Sequence, residues 1–287
     1  DALATADTRV MRTAVKVIDQ KPNGCSWINY TRCHDDIGLG YDDYMISNAG
    51  KDPYLHRTYL KKYFIGEFPN SSSKGALFGT NPKTNDARIS GTLASLCGLE
   101  SALEQMNPEL IQEAIDKITL MQAQSFFSGG APLIFYGDEL GSTNDYSYLE
   151  DPSKSYDNRW MHRPIFDWNK AQRRFDDQTV EARLFNRHKR LIQIRKENKA
   201  FADLKNTKWL SLEQNAIAAF IRYTEDQHVF CLLNYSNQSH QLAQNIFDSL
   251  GKGPHQFKDL WTDTPYEFKD PWGTFEIKPY QFLLLST

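Results

Sequence analysis

Residues 26–38 read SWINYTRCHDDIG. Residues 26–32 predict a short strand, because their Trp, Ile, Tyr and Thr side chains are favoured in strands. The run Lys21-Pro22-Asn23-Gly24 predicts a tight turn before this strand, and the residues after Arg32 are polar and acidic. A strand that follows a turn and ends in acidic residues is typical of the parallel sheets of α/β proteins.

Helices are predicted on both sides of this strand. The helix before it covers residues 3–18, where apolar residues recur at helical spacing: Leu3, Ala6, Val10, Ala14 and Val17. Helices after it are predicted at 90–106, 107–129 and 179–199. Asn107 is the predicted N-cap of the second of these, with Pro108 in its first turn and Gly129-Gly130 at its end.

A second buried strand is predicted at residues 132–136, which form a near-continuous apolar run typical of a parallel strand covered on both faces. It also runs into polar residues, at 137–141. Residues 39–90 are long and irregular, with one predicted helix that contains Leu55, Tyr59, Leu60, Tyr63 and Phe64. An excursion of this length indicates a functional loop or an inserted subdomain.

From residue 206 onward, short alternating segments are separated by turn residues. They predict strands at 216–223, 228–235, 239–246, 256–260, 275–277 and 280–285. Such a series is typical of a small antiparallel β-sandwich. We therefore predict two domains, an α/β domain at 1–203 and a β-sandwich at 204–287.

The α/β part supplies only two parallel strands. Two strands neither close a barrel nor form a sheet with covered edges. Both strands end in acid-rich loops, as strands of a (β/α)8 barrel do at the catalytic face. The sequence therefore predicts the C-terminal part of a longer α/β barrel protein.

Composition restricts the classes of function. Of the 287 residues, 40% are hydrophobic and the formal net charge is −3, without a long basic run, which argues against nucleic acid as the main partner. No stretch approaches the roughly 18–20 apolar residues of a membrane helix. The four cysteines form no Cys-x-x-Cys pair, so we expect no zinc or redox motif and mostly buried free thiols. Such thiols indicate a reducing compartment or indifference to redox conditions; the cytoplasm is slightly favoured and secretion stays open.

The main candidate site residues are His34, Asp35 and Asp36, with Arg32 close by. Such a cluster at the end of a strand can bind sugar hydroxyls and stabilise an oxocarbenium-like transition state. The residues alone leave a second interpretation equally open, in which an Asp caps a helix beside a packed His. A metal site is less favoured, because adjacent side chains on a strand point to opposite faces.

Residues 30–38 resemble the fourth conserved segment of the α-amylase superfamily, in the form found in amylosucrases and sucrose hydrolases. The resemblance implies that Asp35 is the catalytic carboxylate that stabilises the transition state. It makes His34 the catalytic-site neighbour that binds the glucosyl ring. Asp36 would then bind substrate at the next subsite, where fructose leaves or an acceptor arrives.

Further segments resemble the same family. Residues 81–92 are similar to the segment that closes an insertion, which implies acceptor binding by Arg88; taken alone, Arg88 is an ordinary surface arginine. Residues 157–164 are similar to a loop that closes the pocket floor, which implies substrate binding by Arg159 and an ion-pair partner outside this chain. Residues 132–141 resemble the eighth barrel strand, where Asp138 and Glu139 are structural rather than catalytic.

The resemblance implies the C-terminal part of a (β/α)8 TIM barrel, with an insertion at about 39–90, followed by the β-sandwich. The implied enzyme is a retaining one that takes glucose from sucrose, releases fructose and passes the glucosyl unit to an α-glucan or water. The family's nucleophile and acid/base lie on earlier barrel strands, and no Gly-Phe-Arg-x-Asp segment occurs here. We therefore expect the isolated chain to be inactive, without a cofactor or metal, and to depend on residues N-terminal to Asp1.

Some alternatives stay open. Leu39-Gly40 stands where an aromatic residue usually follows, so hydrolysis and glucan synthesis are not distinguished. A sucrose phosphorylase or trehalose synthase type of enzyme is a second interpretation, and a non-catalytic carbohydrate-binding fragment is a third.

Overall fold

The structure, a computed structural model, describes residues 1–18, 20–22, 24–202, 205–251, 254–270 and 272–287. In these residues α-helices span Ala2–Thr5 (α1), Arg9–Ile18 (α2), Asp43–Asn48 (α3), Pro53–Phe64 (α4), Leu93–Leu96 (α5), Leu99–Glu104 (α6), Pro108–Phe127 (α7), Trp168–Gln172 (α8) and Val180–Glu197 (α9). Strands span Ile28–Asn29 (β1), Ala76–Phe78 (β2), Arg88–Ser90 (β3), Ala131–Pro132 (β4), Thr207–Leu210 (β5), Ile217–Tyr223 (β6), His228–Asn234 (β7), His240–Ala243 (β8), His255–Asp259 (β9), Pro265–Phe268 (β10), Thr274–Ile277 (β11) and Phe282–Ser286 (β12). None of the helices within these ranges has the length and apolar character needed to cross a bilayer.

Two compact units are formed. The first contains Asp1–Asn29, Leu120–Pro132 and Lys189–Thr287, and the second contains Tyr30–Thr119 and Leu133–His188. The predicted domain limit at 203/204 lies outside the described residues, so the domain bounds 1–203 and 204–287 stay a prediction.

The first unit contains the parallel strand pair. β1 pairs with β4, with Ile28 opposite Ala131 and Asn29 opposite Pro132. The parallel direction is as predicted, but the predicted lengths, 26–32 and 132–136, are wrong: each strand has two residues. Pro132 has no N–H to extend the ladder, and a pair without a third strand is marginal. Ile28 remains largely exposed.

The predicted helix at 3–18 is divided in this unit. Ala6 adopts a left-handed backbone conformation with φ 50°, which ends α1. The side chain of Asp7 then accepts the N–H of Arg9 at 2.9 Å and starts α2. Thr8 N–H donates to the Asn215 carbonyl at 2.7 Å. A tertiary hydrogen bond and a local cap therefore interrupt a continuous apolar pattern.

The β-sandwich is antiparallel, as predicted. Six strands form one sheet in the order β10-β9-β12-β7-β6-β5, and β11 pairs with β8 in a second sheet. Inward-facing residues of both sheets share one core, which includes Phe230, Leu242 and Ile277, and Phe247 from the connection between β8 and β9 packs into the same core. All six predicted strands are present with shifted ends. Strands β5 and β10 were missed because each lies at an edge of the large sheet and is only partly buried.

Most of the predicted helices lie at least partly in the second unit. The helix predicted around Leu55–Phe64 is α4, which begins after Asp52. Asn107 caps α7 as predicted, because its side-chain oxygen accepts the N–H groups of Glu109 and Leu110 at 2.9 and 3.2 Å. The predicted helix at 90–106 is instead divided into α5 and α6 by Gly98, whose φ of 91° interrupts the helix.

A buried carboxylate organises one end of this unit. Glu100 is 7% exposed, and its oxygens accept hydrogen bonds from the Ser95 hydroxyl, the Tyr146 hydroxyl and the Asn144 N–H. Lys74 lies 3.6 Å from the same carboxylate. The network joins the start of the β2–β3 region, α5–α6 and the loop at 144–146.

Candidate functional site

The acidic loop at residues 34–36 is aligned with β3 by a pair of backbone hydrogen bonds. Ile37 N–H donates to the Ile89 carbonyl at 2.8 Å, and Ile89 N–H donates back at 2.9 Å. This bridge brings Arg88 next to Asp36, with 3.5 Å between Nη1 and Oδ1. The Asp36 side chain is only 4% exposed, whereas that of Arg88 is 60% exposed.

Asp35 presents a charged carboxylate at an open surface. Its Oδ1 accepts the backbone N–H of Asp36 at 3.0 Å and Nη1 of Arg159 at 3.2 Å. The Asp36 N–H and then the Arg159 guanidinium hold the pKa of Asp35 below its ordinary 3.8, because both stabilise the ionised form. The carboxylate is therefore negative at neutral pH and can stabilise positive charge that develops nearby.

Arg159 is shared between two carboxylates. It binds Asp157 through three hydrogen bonds, from Nε to Oδ1 at 2.9 Å and to Oδ2 at 3.1 Å and from Nη2 to Oδ2 at 2.8 Å, and it also binds Asp35. Its guanidinium lies over the Phe78 ring, 4.6 Å from the centroid. Asp157 raises the pKa of Arg159 further, so the side chain stays charged. The expectation that its partner lies outside this chain is corrected, because two partners lie within it.

Two residues of the same loop, His162 and Arg163, were not predicted as site residues. His162 Nδ1 accepts the N–H of Gly91 at 3.2 Å, and its Nε2 lies 3.2 Å from the His34 carbonyl oxygen. Arg163 Nε donates to that carbonyl at 2.6 Å. In the sequence, the only indication of a functional role for either residue was that both lie in the segment 157–164.

The site also contains buried charge. Arg32 is 3% exposed and donates from Nε to the Gly91 carbonyl at 2.8 Å. Within the described ranges, Arg32 Nη2 and Asp36 Oδ2 are buried and form no hydrogen bond. The opposite charges of Arg32 and Asp36 attract each other, and each can also attract the polar groups of a molecule that enters the site.

The structure thus brings together two ion pairs, Arg88 with Asp36 and Arg159 with Asp35, and the backbone N–H of Asp36 joins them through its hydrogen bond to Asp35. His34 takes part through its backbone carbonyl, and its imidazole is exposed. Glu139 accepts the N–H of Gly137 at 2.8 Å, a contact that fits a structural role. Among the residues that are described, no three His, Cys, Asp or Glu side chains are grouped to hold a metal ion.

Comparisons with known proteins give a similarity at the level of domain and fold. Residues 213–286 match the family model of the cyclo-malto-dextrinase C-terminal domain. Neopullulanase 2 of Thermoactinomyces vulgaris is 28% identical over 156 residues, which are 54% of this chain and 23% of that protein. Residues 213–286 are therefore similar to the C-terminal domain of cyclo-malto-dextrinases.

Two solved structures are similar in fold. Sucrose 6F-phosphate phosphorylase from Thermoanaerobacter thermosaccharolyticum gives a TM-score of 0.57 at 15% identity, over 94% of this chain and 46% of that one. An AmyP variant in complex with maltotriose gives 0.51 at 14% identity, over 67% and 38%. The chain spans less than half the length of these proteins. The chain therefore shares a fold with parts of these two structures, and the (β/α)8 barrel stays a prediction.

Proposed function

We propose that the chain is part of a retaining glycoside hydrolase or glucosyltransferase of the α-amylase family that acts on sucrose. One observation carries the proposal. Asp35 lies in the segment that resembles the family's transition-state-stabilising carboxylate, it is held ionised by Arg159 and the Asp36 N–H, and about half of its side chain is exposed.

The chemistry assigned to Asp35 is electrostatic. Cleavage of a glycosidic bond by a retaining enzyme passes through an oxocarbenium-like transition state with positive charge on the sugar. A fixed carboxylate stabilises that charge more in the transition state than in the ground state, and so lowers the barrier. Arg159 limits the movement of the carboxylate through a charge-assisted hydrogen bond.

The neighbouring groups are assigned to binding. The exposed His34 imidazole is suited to a hydrogen bond with a hydroxyl of the glucosyl ring. At the next position along the loop, where the fructosyl group or an acceptor would bind, Arg88 is the exposed donor, and the largely buried carboxylate of Asp36 pairs with it. With these roles, polar side chains would line the position where the leaving and accepting sugars bind.

The nucleophile and the acid/base are assigned to residues outside this chain. A retaining mechanism requires two carboxyl groups about 5–5.5 Å apart on either side of the scissile bond. The exposure of His34 and Arg88 fits a site whose other wall is supplied by additional residues. Fructose released from sucrose would then leave on the Asp36 side, and the glucosyl unit would pass to water or an α-glucan.

A second candidate is hydrolysis of maltodextrin-type α-glucans. The matches to the cyclo-malto-dextrinase C-terminal domain and to neopullulanase favour it, because they rest on sequence rather than on fold alone. The same carboxylate would perform the same electrostatic role, and only the sugar at the Asp36 and Arg88 position would differ.

Product analysis tests the proposal. The purified 287-residue chain and a longer polypeptide that adds the family's earlier barrel strands are incubated with sucrose, pullulan and cyclomaltodextrin. We expect no turnover by the chain and release of fructose by the longer polypeptide. Asp35→Asn in the latter should reduce kcat by a factor on the order of 100–1,000. Maltodextrin products without fructose would favour the second candidate, and sucrose turnover by the chain alone would contradict the two-part site.

A further inference from the structure

His162 connects two backbone segments of the candidate site. Its ring is completely buried. Nδ1 faces the N–H of Gly91, and Nε2 faces the carbonyl oxygen of His34, each at 3.2 Å. A donor on one side and an acceptor on the other define the proton position, because a neutral imidazole has one nitrogen of each kind. The ring must carry its proton on Nε2.

The surroundings keep this ring uncharged. Protonation of Nδ1 would place one N–H against the Gly91 N–H and remove that hydrogen bond. Burial, and then the cation of Arg32, lower the pKa of His162 to about 3, and Arg163 acts in the same direction. Asp35 and the His34 carbonyl act in the opposite direction but do not compensate.

Gly91 provides a fixed attachment for the ring. Its φ is 149°, and a Cβ at this position would lie 2.9 Å from Leu96 Cδ2 and 3.4 Å from Gly75 Cα. Only glycine fits there without displacement of its neighbours. Arg32 donates to the carbonyl of Gly91 at 2.8 Å. The N–H of Gly91, bound by His162, and its carbonyl, bound by Arg32, are therefore both held by hydrogen bonds.

The other end of the ring acts on Asp35. The His34 carbonyl belongs to the same planar peptide unit as the Asp35 nitrogen and Cα. A hydrogen bond that holds this oxygen therefore restrains the peptide plane and the position of the Asp35 Cα from which the side chain projects. We propose that His162 is a positioning residue that holds the peptide bond between His34 and Asp35 at a set distance from Gly91. The inference rests on the proposed function, and it assigns His162 no contact with substrate.

Two substitutions, each of which retains one of the two contacts of His162, test the proposal in the longer, active polypeptide. In His162→Gln the amide N–H2 takes the place of Nε2 and can still donate to the His34 carbonyl. In His162→Asn the amide oxygen takes the place of Nδ1, and the donor from residue 162 to the His34 carbonyl is lost, while Arg163 Nε still donates to it. We expect His162→Asn and His162→Ala to lower kcat by up to about 100-fold with little change in KM, and His162→Gln to recover most of the loss.

His188 supplies a matched control. It is another buried histidine, and its Nδ1 contacts the Leu184 carbonyl within α9, far from this loop in sequence. His188→Gln should lower thermal stability without a change in kcat. Equal loss of kcat in the Gln, Asn and Ala variants of His162, or wild-type kcat in all of them, would overturn the positioning role.

Measurements that do not depend on catalysis test this inference separately from the proposed function. In the 287-residue chain, hydrogen exchange of residues 34–37 should accelerate in His162→Ala and His162→Asn and stay near wild type in His162→Gln. In the unmodified chain, ¹H–¹⁵N spectra should show His162 neutral, with its proton on Nε2, from pH 5 to 8 (about two units or more above its lowered pKa). A proton on Nδ1, or unchanged exchange in His162→Ala, would overturn the inference even if no sugar is cleaved.

Discussion

Arg159 Nη1 donates to Asp35 Oδ1 at 3.2 Å, although the two residues are 124 positions apart in sequence. The same guanidinium binds Asp157 through three hydrogen bonds. One cation is therefore shared between a carboxylate of its own loop and the carboxylate assigned to catalysis. The conformation of the loop at 157–163 and the charge of Asp35 are coupled through this contact.

The first prediction concerns the charge of Asp35. Arg159→Lys keeps a positive charge but replaces a planar fork with a single ammonium group, which cannot bind both carboxylates in the same geometry. We expect the pKa of Asp35 to rise toward its ordinary 3.8. Carboxyl ¹³C chemical shifts followed against pH measure it. Arg88→Lys, which alters the pair with Asp36, should leave this pKa unchanged, and an unchanged value in Arg159→Lys would contradict the coupling.

The second prediction is a pH dependence of stability. Arg159, through its hydrogen bonds, holds the pKa of Asp157 below 3.8 in the folded state. Asp157 therefore binds a proton more readily when unfolded, so its stabilising contribution is complete above that ordinary value. The contribution is lost as pH falls through the lowered folded-state pKa. We expect Asp157→Asn to be less stable than wild type at pH 7, with a difference that shrinks below pH 3.8. Urea unfolding at several pH values measures this, and a constant difference would contradict it.

The candidate site was predictable only in part. The segment 30–38 indicated His34, Asp35 and Asp36 from their chemistry, but the residues alone did not separate a sugar site from a helix cap. Apart from its membership of the segment 157–164, nothing in the sequence indicated His162, since its role depends on contacts 71 and 128 positions away in sequence. A side chain that acts through backbone groups leaves no pattern in residue type or spacing.

The third prediction concerns the buried network around Glu100. Glu100→Ala leaves the Ser95 and Tyr146 hydroxyls without their acceptor, and we expect a loss of about 3 kcal/mol in the free energy of unfolding. Glu104 is the matched control, because it pairs with the same Lys74 but its side chain is 58% exposed. Glu104→Ala should cost less than about 1 kcal/mol. Similar losses in both variants, measured by urea unfolding, would contradict the structural role of Glu100.

The fourth prediction concerns the four free thiols. Cys25 is exposed and Cys33 is partly buried, whereas Cys97 and Cys231 are buried. Burial raises the pKa of Cys97 to about 12 and raises that of Cys231 as well, so neither forms the reactive thiolate at neutral pH. With a soluble thiol reagent, Cys25 should react first and Cys33 more slowly. Cys97 and Cys231 should react only after unfolding.

Cys25→Ser is the control for this order. It should remove the fastest phase and leave the others unchanged. Rapid labelling of Cys97 or Cys231 in the folded protein, located by mass spectrometry, would contradict the packing described. The sequence predicted mostly buried free thiols, and Cys25 departs from that expectation because it lies in the exposed turn before β1.

The fold was predictable where the local pattern agreed with tertiary packing. Asn107 and the apolar face after it gave α7 its correct start. The pattern failed at Ala6, whose left-handed backbone ends one helix just before the side chain of Asp7 caps the start of the next. It also failed at β5 and β10, since edge strands with one half-exposed face carry a weaker alternation than central strands.

The fifth prediction concerns the core of the sandwich. Phe247 is completely buried in the connection between β8 and β9, and its ring lies within 6 Å of four other aromatic rings. These rings belong to Phe230, Phe257, Phe268 and Phe275. Phe247→Ala leaves a cavity that this shell cannot close, because its members are held in different strands of both sheets. We expect a loss of about 3–5 kcal/mol in the free energy of unfolding.

Two further variants show whether this loss comes from packing. Phe247→Leu keeps most of the buried apolar volume and should cost about 1–2 kcal/mol. Trp272 is a larger aromatic residue but is 89% exposed, so Trp272→Ala should stay within about 0.5 kcal/mol of wild type. If Trp272→Ala were as destabilising as Phe247→Ala in the same urea titration, the loss would follow aromatic size rather than burial, and the sandwich core would not be centred on Phe247.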